Sequence, residues 1–254
     1  MREQIRDLKR YSMVEGEGQS ISVHPLVQTV QRFQLGWPNS GQQALQNCLE
    51  LLSKDTPGDP QDVRTWSRWE LLAPHYLKAT DCADQFGITD PTARLLNNVA
   101  QLFKAKAQFD QAEPLMRRAL EIDEQSFGKD HPKVASRLNN LAQLLKATNR
   151  LAEAEPLMRR ALEIDEQSFG KDHPNVARDL NNLAQLLQDT NRLAEAEPLI
   201  RRALEIDEQS FGKDHPKVAI RLNNLAALLQ QTNRLAEAEP LMRRALEIDE
   251  QSFG

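Results

Sequence analysis

The sequence predicts an all-α solenoid made of stacked helix pairs. Residues 138–174 return almost letter for letter at 180–216 and again from residue 222 to residue 254, and a degenerate copy begins at residue 96. An Asn-Asn pair marks the 42-residue period, with its first member at Asn97, Asn139, Asn181 and Asn223. Self-similarity at a fixed period of this length is typical of units that cannot bury their apolar faces alone and therefore stack.

The pattern of apolar residues within each unit predicts two amphipathic helices. In the first helix four apolar residues lie at i, i+3, i+4 and i+7, which places them on one helix face. They are Leu138, Leu141, Ala142 and Leu145. The second helix repeats the stripe with Ala154, Leu157, Met158, Ala161 and Leu162. The alanines are small enough for two helices to pack closely together.

The ends of these helices are predicted as well. Asn149 tolerates the left-handed conformation that ends many helices, and Gly170 is suited to the same role after the second helix. The entry to each following helix is a His-Pro pair, and proline is favoured at the first helical position. The recurring histidines are therefore interpreted as turn and cap residues, too far apart to share a metal; they are His131, His173 and His215.

Residues 128–142 carry the most specific motif of the chain, GKDHPKVASRLNNLA. This stretch resembles the pattern GxxHPxVAxxLxNLA of the tetratricopeptide repeat, in the long-loop form found in kinesin light chain. The resemblance covers residues 91–254 and implies four repeats in a right-handed superhelical solenoid, with a concave groove lined by the first helices. It also implies that the chain recognises a protein or peptide in that groove.

Residues 1–38 lack the repeat and predict a small winged-helix-like segment. Gly16 and Gly18 separate two short apolar stretches, which favours a β-hairpin, and Pro25 opens an amphipathic helix. The stretch YSMVEGEGQSISVHPLVQTVQR resembles the winged helix that closes the NB-ARC module of STAND-type nucleotide switches. In that family a histidine of a Met/Val-His-Asp motif reads the nucleotide's phosphates, which implies a nucleotide-sensing role for His24. Pro25 stands where that motif has its aspartate, and a hairpin-helix cap with an ordinary surface histidine is the alternative.

Residues 39–90 predict a helical connector. Its first apolar stripe consists of Ala44, Leu45, Cys48, Leu51 and Leu52. A loop rich in proline and glycine follows at residues 56–60, and then a second apolar helix or broken helix pair. Trp66 and Trp69 in this second part are expected in the core. The run from Trp66 to His75 resembles the connector between winged helix and repeats in NB-ARC proteins with tetratricopeptide tails.

Composition argues against several partners and locations. The chain has 27% charged and 40% hydrophobic residues, and its net charge of -5 argues against a nucleic-acid partner. No apolar run approaches the ~18 residues that a membrane span needs, and the polar N-terminus predicts no signal peptide. We therefore expect a cytoplasmic protein that binds no membrane. Cys48 and Cys82 are expected to be buried free thiols of a reducing compartment rather than a disulfide.

No catalytic, cofactor or metal site stands out from the repeats. The chain contains neither a phosphate-binding GxxxxGK[ST] loop nor a dinucleotide-binding GxGxxG motif. Its many carboxylates belong to helix surfaces, and no Ser, His and Asp set departs from the repeat pattern. We therefore predict that the chain is not an enzyme and needs no cofactor or metal. On the NB-ARC resemblance, an ATPase domain would lie upstream of Met1 in the natural protein.

A candidate peptide-binding site follows from where the repeats differ. The second helix is nearly unvaried, whereas the first helix varies along one face. The candidate ligand-contacting residues on this face are Arg94, Asn97, Gln101, Lys104, Ser136, Asn139, Gln143, Lys146, Arg178, Asn181, Gln185 and Asn223. The family resemblance places this face in the concave groove, where asparagine holds a ligand's backbone; amides suit that role because they offer donors and acceptors. Drift on a solvated face after recent duplication is the alternative.

These observations favour a non-catalytic peptide-binding module, and the NB-ARC resemblance implies the sensor arm of a STAND-type signalling switch. The candidate face carries the positive charges of Arg94, Lys104, Lys146 and Arg178. They favour an acidic ligand or a C-terminal carboxylate. A structural scaffold that self-associates through its repeat ends is the alternative, because the last second helix has no distinct polar cap. That end face is expected to expose Leu241, Leu246 or Ile248.

Overall fold

A computed structural model describes residues 14–15, 22–23, 39–54 and 56–253 of the chain. In these ranges the chain forms two paired strands, β1 (Val14–Glu15) and β2 (Ser22–Val23), a 3-10 turn at Val63–Thr65, and ten α-helices. The helices are α1 (Asn39–Lys54), α2 (Trp66–Gln85), α3 (Thr92–Ala105), α4 (Phe109–Phe127), α5 (Pro132–Ala147), α6 (Leu151–Phe169), α7 (Pro174–Asp189), α8 (Leu193–Phe211), α9 (Pro216–Gln231) and α10 (Leu235–Phe253).

The two strands pair in antiparallel register, Val14 with Val23 and Glu15 with Ser22, which agrees with the predicted hairpin. The rest of the predicted winged-helix-like segment, including His24, lies outside the described residues. Its boundary with the connector and its nucleotide-sensing role therefore stay predictions.

The repeat helices begin and end at the residues that the sequence predicts. His173 caps α7, since its Nδ1 accepts a hydrogen bond from the backbone N–H of Asn175 at 3.2 Å, and Pro174 follows in the first turn. Equivalent histidines cap α5 and α9. Asn149 follows α5 with a φ of 59°, and Gly170 follows α6 with a φ of 87°. Asparagine and glycine are the residues that adopt these positive φ values most readily.

Two apolar surfaces hold the repeats together. Within one repeat, Val134 of α5 packs in a buried cluster with Ala161 and Ile164 of α6. Between repeats, a continuous buried core takes residues from every helix between α3 and α10. Each fully buried leucine or methionine in it contributes about 1.5–3 kcal/mol relative to exposure. The predicted all-α solenoid of consecutive helix pairs is thereby confirmed.

The connector packs on the first repeat. Trp69 and Tyr76 of α2 are fully buried, with ring centroids 5.4 Å apart. They share a buried cluster with Leu95 and Val99 of α3. Trp69 is thus a core residue, as predicted, while Trp66 is half-buried at the edge of the same cluster. The connector supplies the apolar cover that a preceding repeat would otherwise give to α3.

The apolar stripe predicted for α1 is right for Leu45 and Leu52 and wrong for Cys48 and Leu51. Apart from Ala44, whose side chain is outside the described set, the residues of this helix that pack on the connector core are Leu45, Leu49 and Leu52. They lie at i, i+4 and i+7, whereas Cys48 and Leu51 point away from that face and are exposed. Cys48 and Cys82 are both free thiols. The expectation that both are buried is also wrong, because Cys48 is exposed and Cys82 is half-buried.

Candidate functional site

The predicted groove residues lie on the first helices α3, α5, α7 and α9, and the asparagines among them are mostly covered. Asn97, Asn139 and Asn181 are only 8%, 3% and 5% exposed. These three residues therefore do not lie on a solvated face. Asn223 is exposed, since no described helix packs over α9 on that side.

The buried asparagines form an amide ladder between neighbouring first helices. Asn140 Nδ2 donates to Asn97 Oδ1 at 2.9 Å, and Asn224 Nδ2 donates to Asn181 Oδ1 at 2.7 Å. At these two junctions the first asparagine of one repeat accepts a hydrogen bond from the second asparagine of the next repeat. At the junction between α5 and α7, Asn139 Nδ2 donates instead to Asp179 Oδ1 at 2.7 Å. Such a bond satisfies an amide that would otherwise be buried without a partner, at a cost of about 1–3 kcal/mol. The first asparagines therefore join the repeats.

The second asparagines of the four pairs are all half-buried; they are Asn98, Asn140, Asn182 and Asn224. In the first three pairs the second asparagine is more accessible than the first, whereas in the last pair Asn223 is the exposed member. Sequence reasoning missed them because it followed only the first member of each pair. A usable signal was present: both members recur with the period, and successive helix residues point about 100° apart, so the two side chains must have different surroundings.

The lysines and glutamines of the predicted site are linked across repeats. Lys104 Nζ donates to Gln143 Oε1 at 2.9 Å, and Lys146 Nζ lies 3.0 Å from a carboxylate oxygen of Asp189. Burial lowers the pKa of the Lys104 ammonium below its usual range. Gln101 is 7% exposed, while Gln143 and Gln185 are half-buried. Lys146 is thus neutralised by a neighbour, which reduces the positive charge that it presents to a ligand.

Arg94 and Ser136 line an open cleft of about 330 Å³ at the start of α3 and α5. Lys133 borders the same cleft, with its Nζ 4.1 Å from the ring centroid of Phe127. Arg94 is exposed and bonds the neutral hydroxyl of Ser53. The remaining lining residues are Thr89, Asp90, Ala93, Asp123 and Arg137. This end of the first helices therefore combines the accessible cations Arg94 and Lys133 with the exposed carboxylate of Asp90, other polar groups and an aromatic ring.

The outer side of α10 exposes part of an apolar stripe. Leu246 is 58% exposed, as predicted, and Leu241 is half-buried. Ile248 is only 2% exposed, so the expectation of its exposure is wrong; it packs on α9 in a buried cluster. Leu235 and Met242, which were not predicted, are 59% and 45% exposed. They line a cleft of about 640 Å³ along α10.

The described residues contain no assembly suited to metal binding. No group of three or more His, Cys, Asp or Glu side chains lies close enough together to hold an ion in this part of the chain. His131, His173 and His215 stack on Phe127, Phe169 and Phe211 with ring centroids 4.8, 4.6 and 4.8 Å apart, and they cap helices. None of the helices that the structure describes has the length and hydropathy that a membrane span requires.

Comparisons with known proteins agree with this architecture. A family model described as tetratricopeptide repeat matches residues 91–167, 138–209 and 180–251. None of the curated proteins compared with the chain matches it significantly.

Several solved structures share the fold. BtubC (BKLC) from P. vanneervenii is 23% identical and superposes with a TM-score of 0.66, over 90% of this chain and 88% of that one. A putative kinesin light chain from Podosopora anserina with nearly identical TPR-like repeats is 20% identical, with a TM-score of 0.56 over 77% and 99% of the two chains. A MamA RS-1 double mutant is 11% identical, with a TM-score of 0.55 over 84% and 97%.

Proposed function

Because the chain belongs to the tetratricopeptide repeat family, a family of protein-interaction and scaffold modules, we propose that it binds an extended peptide along the concave face of its first helices. The observation that carries this proposal is the row of half-buried amides at Asn140, Asn182 and Asn224, one per repeat at the same register. The Nδ2 atoms of Asn140 and Asn224 already donate to the preceding repeat and that of Asn182 is buried, so the row offers a ligand its Oδ1 acceptors. An extended peptide backbone presents N–H donors at regular intervals.

The predicted site residues take two roles in this proposal. The accessible members contact the ligand, whereas the buried asparagines hold neighbouring first helices in register. The contacting members are Arg94, Ser136, Gln143, Gln185 and Asn223. The exposed Arg94 and the neighbouring Lys133 favour an acidic segment or a terminal carboxylate at the α3 end of the row.

The N-terminal resemblance supports a finer proposal. We infer three parts, a winged-helix-like fragment at 1–38, a connector at 39–90 and the repeats at 91–254. The repeats then act as the sensor arm of a cytoplasmic STAND-type signalling switch, in which His24 reads the nucleotide. The absence of a phosphate-binding loop from the sequence supports a non-catalytic role for this chain.

The test of the groove uses the amide whose removal disturbs the fold least. Asn182 Nδ2 makes no hydrogen bond to the described residues, so the Asn182→Ala/Gln185→Ala variant should keep the thermal midpoint of the parent chain. Its affinity for a peptide selected from a random display library should fall by about 1–3 kcal/mol, at about 0.5–1.5 kcal/mol for each lost hydrogen bond. Fluorescence polarisation measures this loss.

The matched control is Gln167→Ala/Gln209→Ala, which removes two exposed amides from the second helices α6 and α8. It should bind the peptide as tightly as the parent chain. Equal affinity of the parent and the Asn182→Ala/Gln185→Ala variant would show that the row of amides is not the binding site.

A scaffold that self-associates is the second candidate, and the exposed Leu235, Met242 and Leu246 on α10 favour it. Light scattering should then show a mass that rises with concentration, and Leu246→Lys should abolish the rise. A constant monomer mass at high concentration removes this candidate.

A further inference from the structure

Buried aspartates near the ends of the second helices mark the junctions between repeats, and one junction differs from the others. Arg137 Nε lies 2.8 Å from Asp123 Oδ2, and Arg221 Nε lies 2.8 Å from Asp207 Oδ2. These two pairs join α4 to α5 and α8 to α9. At the junction between α6 and α7, the position equivalent to Arg137 and Arg221 is Asp179. Asp179 faces the buried Asp165. The Arg–Asp ion pair of the other two junctions is thus replaced by two carboxyl groups.

The two carboxyl groups are buried, and the neighbouring charges cannot neutralise both of them. Asp165 is 1% exposed and Asp179 is 0% exposed. Arg178 Nη2 lies 3.2 Å from Asp165 Oδ2 and 3.0 Å from Asp179 Oδ1. One guanidinium therefore serves two carboxylates, and one negative charge would remain buried without a counterion. Burial of such a charge is strongly unfavourable, and a proton is the simplest way to remove it.

Each of the two carboxyl groups has an oxygen that could carry that proton. Asn139 Nδ2 of α5 donates to Asp179 Oδ1 at 2.7 Å. Asp165 Oδ1 and Asp179 Oδ2 accept no hydrogen bond from the described residues, although the two side chains are within hydrogen-bonding reach of each other. Two carboxyl groups can hydrogen-bond to each other only if one of them carries a proton.

We propose that Asp165 and Asp179 share one proton in the folded protein, the O–H of one carboxyl donating to the carboxylate of the other, and that loss of this proton loosens the α6–α7 junction. The device makes the middle of the solenoid sensitive to pH around neutrality. Asn139, which bonds Asp179 instead of the next repeat's Asn182, links the pair to the first-helix face. The proposal does not depend on which ligand, if any, that face binds.

The electrostatics agree with this geometry. Burial raises the pKa of Asp179 to about 7, Arg178 opposes the rise, and Asp165 adds to it. Burial also raises the pKa of Asp165. Asp165 of α6 and Asp179 of α7 face each other. The other groups that face the pair are the guanidinium of Arg178 from α7 and the neutral amide of Asn139 from α5. Because the folded-state pKa lies above the unfolded one, the stabilisation is fully present below about pH 4 and is lost as the pH rises to about 7.

The experiment compares the full chain with two variants at pH 5.5 and pH 8.5. Asp179→Asn keeps a donor toward Asp165 without titrating, and Arg178→Ser/Asp179→Arg copies the Ser136-Arg137 pair of the neighbouring repeat. Between the two pH values the thermal midpoint of the parent should fall by roughly 4–8 °C more than that of either variant. All three proteins contain the same histidines, so the difference isolates the aspartate pair.

A second measurement uses only the parent chain and therefore does not require that a variant folds. In the ¹³C NMR spectrum of the parent, a side-chain carboxyl carbon of Asp165 or Asp179 should titrate between pH 5.5 and pH 8.5. Equal pH shifts of the thermal midpoints in the parent and the variants would overturn the proposal. So would two carboxyl carbons that remain in their ionised positions down to pH 5.5.

Discussion

Helices α6 and α10 have the same 19-residue sequence, LAEAEPLMRRALEIDEQSF, and yet different surroundings. Met158 of α6 is 1% exposed, whereas its equivalent Met242 of α10 is 45% exposed. Leu162 is half-buried against the inter-repeat core, and its equivalent Leu246 is 58% exposed. Identical sequences thus differ in burial because α7 packs on α6 while no described helix packs on α10 in the same way.

Another stripe of the same two helices shows no such difference. Ala161 and Ile164 of α6 are 0% and 2% exposed, and Ala245 and Ile248 of α10 are 1% and 2% exposed. These residues pack on the first helix of their own repeat, α5 or α9. Each second helix therefore has two apolar stripes, one that closes its own repeat and one that depends on the following repeat. This division is the structural basis of nearest-neighbour stability in repeat proteins.

The largest expected effect separates the two stripes directly. Met158→Ala should lower the free energy of unfolding by about 2–5 kcal/mol, because it leaves a cavity between α6 and α7. Met242→Ala, in the same sequence context, should cost less than about 1 kcal/mol, since the side chain is nearly half exposed. Urea denaturation followed by circular dichroism measures both. Equal losses would mean that α10 is covered in solution, for example by a second copy of the chain.

The next effect tests the stripe that should not depend on a neighbour. Ala161→Leu and Ala245→Leu should each destabilise the chain by about 1–3 kcal/mol, since both side chains sit where two helices of one repeat meet. Glu163→Ala, on the exposed side of α6, serves as the control and should stay within about 0.5 kcal/mol of the parent. If Ala245→Leu were tolerated as well as Glu163→Ala, the division into two stripes would be incorrect.

The repeats and their helix ends could be predicted because they depend on short-range rules. Three patterns predict both helices of each repeat with nearly correct ends. They are the 42-residue period, the apolar stripes at i, i+3, i+4 and i+7, and the His-Pro pairs at the start of the first helices. The site could not be predicted to the same degree, because the sequence does not specify which side of a first helix meets the next repeat. Asn139 and Asn140 are adjacent and equally recurrent, and only the packing of α5 between α3 and α7 decides which amide is buried.

The aspartate pair illustrates the same limit at longer range. Asp179 is visible in the sequence as a departure from Arg137 and Arg221, which lie in the same register. Its partner Asp165 is invariant among the second helices and gives no signal by itself. The two meet only because the end of α6 packs against the start of α7. The effect of a substitution on one helix thus depends on a residue of another helix.

The smallest expected effect concerns the ion pairs that cross the repeat junctions. The carboxylate oxygens of Glu155 on α6 lie 2.7 Å from Arg159 Nη2 and 2.7 Å from Arg192 Nη1. Arg192 directly precedes α8, the second helix of the next repeat. Its equivalent on α10, Glu239, pairs with Arg243 at 2.9 Å in a largely exposed position, with side chains 72% and 70% exposed.

Glu155→Ala removes a carboxylate that joins two repeats, and its loss should cost about 0.5–1 kcal/mol in low salt. Glu239→Ala removes only a local pair on the exposed helix and should leave the midpoint of urea denaturation unchanged. Because mobile ions screen partly exposed charges over about 3 Å at 1 M salt, the difference between the two variants should nearly vanish in 1 M NaCl. A difference that persists at high salt would mean that Glu155 stabilises the junction through packing of its side chain rather than through its charge.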